Sequence, residues 1–397
     1  MTIKRAYMDH NATTPLRPEA RAAVIEALDV LGNPSSVHTE GRAARALVER
    51  ARRDVASLVG ARPAEIVFTS GGTEAAAMAI HAAGAALGVK RLIVSAVEHD
   101  AVLSSAEASG LPVSLLPVDR EGRADMAVLE AMLAASGGPA LVALMHANNE
   151  TGVLQAVAEA SALAHAAGSY LLCDAVQAAG KVALDFDALG ADMMMLGGHK
   201  IGAPTGVGAL VVRTGLPFAA RSVGGGQEAR RRAGSENVSG IAGFGAAAGA
   251  SINGLGALSL LRDELEAGIA RRAPDAVFFG AGAERLPNTS YLSAPGMDAE
   301  TLLMSLDLDG IAVSAGAACS SGKIGKPRVL DAMGIPDELS RGAIRVSLGW
   351  TSDKADVERF LESWLRAYER VRVRTANMNT GVTAGGTREV PLAAVES

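Results

Sequence analysis

The chain has 397 residues, enough for two domains with substantial cores, and 37 Lys plus Arg against 43 Asp plus Glu give a formal net charge of −6. That balance implies no basic surface for nucleic acid. The two cysteines, Cys173 and Cys319, argue against a disulfide framework, and the first ten residues turn polar without the apolar stretch of a secretory signal, so a cytoplasmic location is expected.

Along the chain, short apolar runs at 65–69, 91–95, 140–145, 170–174, 192–196 and 208–213 read as buried strands, with amphipathic helix-length segments such as 74–87 and 156–167 between them. This alternation predicts an α/β fold: a mainly parallel sheet covered on both faces. The stretch 238–261 carries no charge and places Gly245 and Gly249 in GxxxG register. Its Ala and Gly content, with Ser239, Ser251 and Asn253, suits a buried, closely packed helix better than a membrane span. After 261 the texture changes to a charged helix, a strand at 288–293, a helix around 298–308, a strand at 344–348 and a last helix, which is the pattern of a smaller α+β unit. The expected organisation is a large domain over 15–260, a small one built from 1–14 and 261–375 that carries Cys319, and a flexible tail over 376–397.

Two of these strands end in ionisable groups. The run 170–174 closes on Asp174 with Gln177 three residues later, and the run 192–196 leads into Gly197-Gly-His199-Lys200. Ligands of parallel α/β sheets sit at that edge. A lysine and an acid placed there suit an aldehyde cofactor with a basic ring nitrogen: the lysine holds the aldehyde as a Schiff base and the acid keeps the nitrogen protonated. That cofactor would be pyridoxal phosphate. Its phosphate would sit on Phe68-Thr-Ser-Gly-Gly72-Thr73-Glu74, a strand-to-helix junction with free amides and a hydroxyl, although a bare turn and cap has the same pattern. A lysine after a strand is ordinarily a solvated loop residue. Here it follows six uncharged residues and precedes a Gly/Pro-dense turn, surroundings expected to desolvate the ammonium and lower its pKa from about 10.4.

Read together, Tyr7-Met-Asp-His-Asn11-Ala-Thr-Thr-Pro15, Gly32-Asn33-Pro-Ser-Ser-Val-His38, Phe68 to Glu74, Glu98-His99, His146-Ala-Asn-Asn149-Glu150, Asp174-Ala-Val-Gln177, His199-Lys200, Gly224-Gly-Gly-Gln-Glu228, Ser314-Ala-Gly-Ala-Ala-Cys319-Ser-Ser-Gly322 and Ile344-Arg345-Val-Ser-Leu-Gly349 resemble the cysteine desulfurases, specifically the NifS/IscS-like group. The resemblance implies the fold of type I pyridoxal phosphate-dependent transferases and conversion of L-cysteine to L-alanine, with the sulfur left on Cys319 as a persulfide that supplies iron-sulfur cluster assembly. It implies that Lys200 links to the cofactor and shuttles the Cα proton and that His99 stacks on the ring and assists proton transfer. It further implies that Asp174 pairs with the ring nitrogen, that Gln177 and Asn149 bond the phenolic oxygen region, and that Gly72, Thr73 and His199 hold the phosphate. Ser235 takes the place of a residue that reaches the phosphate across the interface of a homodimer. Arg345 would bind the substrate carboxylate, a geometry that suits guanidinium, with Asn11 and Asn33 as further candidates for that pocket. The persulfide acceptor would be a protein such as an iron-sulfur scaffold, with transient cluster contact through Cys319; neither nucleic acid nor membrane is implied.

The chain departs from the family pattern at three places. Gly197 stands where many members have a phosphate-binding serine, the loop Lys323-Ile-Gly-Lys-Pro-Arg328 is unusually basic, and the tail does not resemble the scaffold-docking segment. His10, His38, His81, His146 and His165 lack metal-site spacing, so no metal is expected. A selenocysteine lyase, another enzyme of the same fold such as an aminotransferase, and a non-catalytic sulfur carrier are the alternatives.

Overall fold

The computed structural model describes residues 5–135, 137–251, 255–316 and 327–382, and their side chains apart from those of 255 and 374–382. Its strands are β1 (Ala6–Tyr7), β2 (Ile66–Thr69), β3 (Arg91–Ser95), β4 (Val113–Leu116), β5 (Ala140–Met145), β6 (Tyr170–Asp174), β7 (Met193–Gly197), β8 (Gly208–Val212), β9 (Val277–Phe278), β10 (Thr289–Ser293), β11 (Ile311–Ala312), β12 (Ser314–Ala315) and β13 (Ile344–Ser347). The large sheet has seven strands in the order β2-β8-β7-β6-β5-β3-β4. Its β3–β4, β3–β5, β5–β6 and β6–β7 pairs are parallel, and β8 runs antiparallel to β2 and β7. The mainly parallel α/β sheet expected from the sequence is the one found. Every residue of β5 and β8 is buried, as strands covered by helices on both faces require. The edge strand β4 escaped the sequence reading because Ser114 and Leu115 face solvent, which leaves no continuous apolar run.

Two antiparallel steps through β8 leave β2 parallel to β7, so the chain leaves β2, β3, β5, β6 and β7 at one edge of the sheet. That edge receives Gly72 and Thr73 after β2, His99 after β3, Asn149 after β5, Asp174 at the end of β6, and His199 and Lys200 after β7.

The uncharged stretch is divided between two helices, Val238–Ser251 and the start of Leu255–Arg272, which are bent by 73° to each other. The first is buried against the helices Pro18–Leu28 and Thr39–Leu58, so the expected close packing holds and the expected single helix does not. Among the described residues no single helix is long and apolar enough to cross a membrane.

A second core gathers Ala6 and Met8 from the N-terminus with Leu265, Leu292, Leu306, Val346, Phe360 and Trp364. It lies with the antiparallel sheet β12-β13-β10-β9 and the parallel pair β1–β11. The last helix, Lys354–Val382, runs into the segment expected to be flexible from 376, because neither Gly nor Pro interrupts 354–380. Residues 383–397 of that tail lie outside the described residues.

One loop is held under strain. Glu228, Ala229 and Arg230 take φ of 47°, 53° and 65°, left-handed values that cost non-glycine residues energy. Buried Glu228 fixes the loop: it accepts both Nη atoms of Arg52 at 2.8 and 2.9 Å and the amide of Phe68 at 2.9 Å, while the Arg52 guanidinium lies 4.8 Å from the Phe68 ring centroid. Such a bidentate, desolvated pair is strong enough to impose an unfavourable backbone.

Candidate active site

At the sheet edge lies a cavity of about 200 Å³, lined by Gly72, Thr73, His99, Asn149, Asp174, Gln177, Gly197, His199 and Lys200, among others. Segments more than 120 residues apart in sequence meet there because their strands end side by side.

One end of the cavity is the N-terminus of the helix Gly72–Ala86. Its cap residue, Gly71, has φ of 154°, a value glycine reaches without cost, and contributes no side-chain cap. The first amides of the helix therefore remain for an anion. His199 faces the same cavity with Nδ1 3.3 Å from Thr13 Oγ1, and Gly197 adds no hydroxyl. A Cβ on Gly197 would stand 3.2 Å from Val176 Cγ1, so a serine there needs Val176 to give way slightly.

At the other end, the buried Asp174 accepts the Val176 amide through Oδ1 at 2.9 Å. Burial raises its pKa, against that amide and the charges of His99 and Lys200. A bound cation would relieve that cost. Glu98, fully buried nearby, is pushed well above the usual carboxylate range by burial and by the charge of Asp174, and its Oε2 has no hydrogen-bond partner among the described residues. Asp174 is therefore the carboxylate of the pair better placed to meet a pyridinium. His99 caps the helix Asp100–Glu107: its Nδ1 accepts the Ala101 amide at 3.0 Å, which leaves the ring proton on Nε2 in the neutral form. Burial lowers its pKa and favours that form. Lys200 Nζ donates to the carbonyls of Asn11 and Ala12 at 2.7 and 2.8 Å. A cavity with an uncapped helix end, a buried acid and a lysine amine fits pyridoxal phosphate.

Around this core the N-terminal segment joins the two parts of the molecule. Asn11 receives Lys200 and Gln177 on its carbonyl, while its side chain is engaged by Thr289, Lys181, Asn288 and the Asn149 carbonyl. That side chain is thus committed within the protein. Arg345, buried on β13, donates to the Asn149 carbonyl at 3.0 Å and to Asp9 Oδ1 at 2.6 Å, and its Nε has no partner among the described residues. Two candidates do not line the cavity of their own chain: Asn33 lies in an exposed loop with Oδ1 accepting the Ser35 amide, and Ser235 is exposed beyond the strained loop. Cys319 lies outside the described residues.

Sequence reasoning missed Lys181 and the role of Arg328. Lys181 follows Gln177 by one helical turn, a spacing that could have flagged it. Arg328, counted above with a basic loop, instead donates to Asp100 Oδ1 at 2.7 Å and to the Glu98 carbonyl, beside His99. The chain enters the 317–326 segment at Gly316, where Tyr291 and Glu150 leave no space for a Cβ.

His10 and His199 carry a consequence for acid stability. Burial first, then the neighbouring lysines, holds both at about 4, against an unfolded value of about 6.5. Their contribution to stability is complete above pH 6.5 and is lost as the pH falls towards 4. Denaturant unfolding should show stability declining over that window, and His10→Gln should flatten the decline; an unaltered slope in the variant would show that His10 does not contribute.

The Aminotransferase class-V family matches residues 6–360. A cysteine desulfurase of Cereibacter sphaeroides is 46% identical over 368 residues, covering 91% of this chain and 95% of the relative. The cysteine desulfurase IscS of Dictyoglomus turgidum is 40% identical over 379 residues, 93% of this chain and 96% of its own. Among solved structures, a NifS-like protein from Rickettsia africae superposes with a TM-score of 0.83 at 32% identity, covering 92% of this chain and 99% of that one. The chain belongs to the class-V aminotransferases, a pyridoxal phosphate-dependent family, and within it to the cysteine desulfurases.

Proposed function

We propose that this enzyme takes sulfur from L-cysteine, releases L-alanine, and leaves the sulfur on Cys319 as a persulfide for an acceptor protein. The observation that carries this reading is the shared cavity of Lys200, Asp174, His99 and the uncapped Gly72–Thr73 helix end. When bound, pyridoxal phosphate withdraws electrons from the Cα of an amino acid joined to it. Lys200 tethers the cofactor and afterwards moves the Cα proton with its Nζ. Asp174 holds the ring nitrogen, His99 covers the ring with its proton on Nε2, and Gln177 and Asn149 serve the phenolic oxygen. Gly72, Thr73 and His199 hold the phosphate. Arg345 takes the substrate carboxylate, a role supported by its burial and by the Asp9 and Asn149 contacts that fix its plane. Asn11 supports the pocket through its carbonyl.

The Cys319 thiolate attacks the substrate sulfur. An S–S bond forms as the Cβ–S bond breaks, and the electron pair passes to the carbon skeleton, which takes up protons and leaves as alanine. The position of Ser235, exposed and away from its own cavity, supports a homodimer in which it reaches the partner's phosphate. Iron-sulfur assembly is the destination favoured by the IscS relative. The test compares alanine formation from cysteine, from selenocysteine, and transamination with a keto acid. Fastest turnover with cysteine is expected; a preference for selenocysteine or the keto acid would overturn the reading.

A further inference from the structure

Lys181 is a buried lysine without a task in this reaction. It is 8% exposed, and its Nζ donates to Gln177 Oε1 at 2.6 Å and to Asn11 Oδ1 at 2.7 Å. An amine is costly to bury, so its retention between two amide oxygens points to a use. Burial, followed by the charges of Lys200 and Arg345, holds its pKa well below the ordinary lysine range. A neutral amine still has two N–H donors, one for each oxygen.

Both amides are fixed from their other ends as well. Asn11 Nδ2 donates to Thr289 Oγ1 at 2.9 Å and to the Asn149 carbonyl at 3.2 Å, and Gln177 Nε2 donates to the Asn11 carbonyl at 2.9 Å. Each amide oxygen is thus left to accept: Lys181 donates to both, Asn288 Nδ2 also reaches Asn11 Oδ1 at 3.2 Å, and Gln177 Oε1 takes its donor from Lys181. With Oε1 tied back to Lys181, the NH2 end of Gln177 is the end left to face the cavity. Rotated by 180°, the same side chain would offer an acceptor to the cofactor's phenolic oxygen, which is itself an acceptor.

We propose that Lys181 is a positioning residue that fixes the amide orientation of Gln177, and the place of Asn11, so that the cofactor's phenolic oxygen meets a donor. This rests on the role given to Gln177 above. A donor stabilises negative charge on that oxygen, so losing it raises the pH at which the cofactor's chromophore gives up its proton.

The test follows the visible absorption of the holoenzyme against pH in Lys181→Met, which keeps an unbranched chain as far as Cε and removes the donors, and in Lys181→Gln, which keeps two N–H donors without a charge. His10 and His199 also sense Lys181, and both are neutral above pH 7, where the titration is read. Lys200, Arg345, Asp174 and His99 are the same in every variant. Lys181→Met should raise the midpoint by about one unit and weaken pyridoxal phosphate binding by about tenfold, the loss of one hydrogen bond. Lys181→Gln should restore both. In a Gln177→Ala background, Lys181→Met should add no further shift. A wild-type midpoint in Lys181→Met, equal shifts in the Met and Gln variants, or a full additional shift in the Gln177→Ala background would each overturn the proposal. A wild-type protein that binds no pyridoxal phosphate would instead overturn the underlying cofactor reading.

Discussion

Lys200→Ala is expected to abolish the pyridoxyl adduct that borohydride fixes on the wild-type chain and to reduce alanine formation from cysteine by ~10³-fold or more, the scale on which tethering and proton transfer act. Two lysines compete for the assignment, because Lys181 Nζ also bonds Asn11. The difference lies in access. Lys200 lines the cavity that holds Asp174 and His99, whereas Lys181 is turned away from it, with its amine spent on two amide oxygens. Peptide mass mapping of the reduced protein decides the matter: a pyridoxyl group on residue 181 rather than 200 would sink the assignment.

Cys319→Ala should separate the carbon chemistry from the sulfur chemistry. The variant keeps the reducible adduct and the cofactor absorption, yet alanine formation falls by ~10³-fold or more, as befits loss of a nucleophile. The wild-type protein incubated with cysteine gains one sulfur at residue 319, and the variant gains none. The described residues on either side of 317–326 have fixed surroundings. Gly316 abuts Tyr291 and Glu150, and Arg328 is bonded to Asp100 and to the Glu98 carbonyl beside His99. Cys173 is no rival, since it is buried in β6 and its thiol is pushed well above the usual range by burial and by the charges of Asp174 and Glu98. Multiple turnovers at the wild-type rate in Cys319→Ala would refute the persulfide step.

Much of the sheet was legible because its strands are buried on both faces and their apolar runs need no partner to be recognised. Runs 91–95, 140–145 and 170–174 coincide with β3, β5 and β6. The exposed edge strand β4 and the division of 238–261 between two helices were not legible, since their form depends on what covers them. The cavity residues were readable for a related reason: in a parallel sheet the residue that ends a strand already lies at the ligand edge. Asn33 and Ser235 show the limit of that logic, for neither reaches the cavity of its own chain.

Sequence alone determined the chemistry on offer: a lysine, an acid, a glycine-rich helix start and a cysteine in a recognisable order, each marked by its local pattern. Only the tertiary structure decided how those groups are held. Lys181 reads locally as one more surface lysine after a run of small residues, and its burial follows from contacts with Asn11, 170 positions away in the chain. Arg328 likewise reads as part of a basic loop until the fold sets it against Asp100, 228 positions away. A hydrogen bond between distant segments leaves no periodicity in either one, so orientation of the site belongs to the fold, and its reactive groups to the sequence.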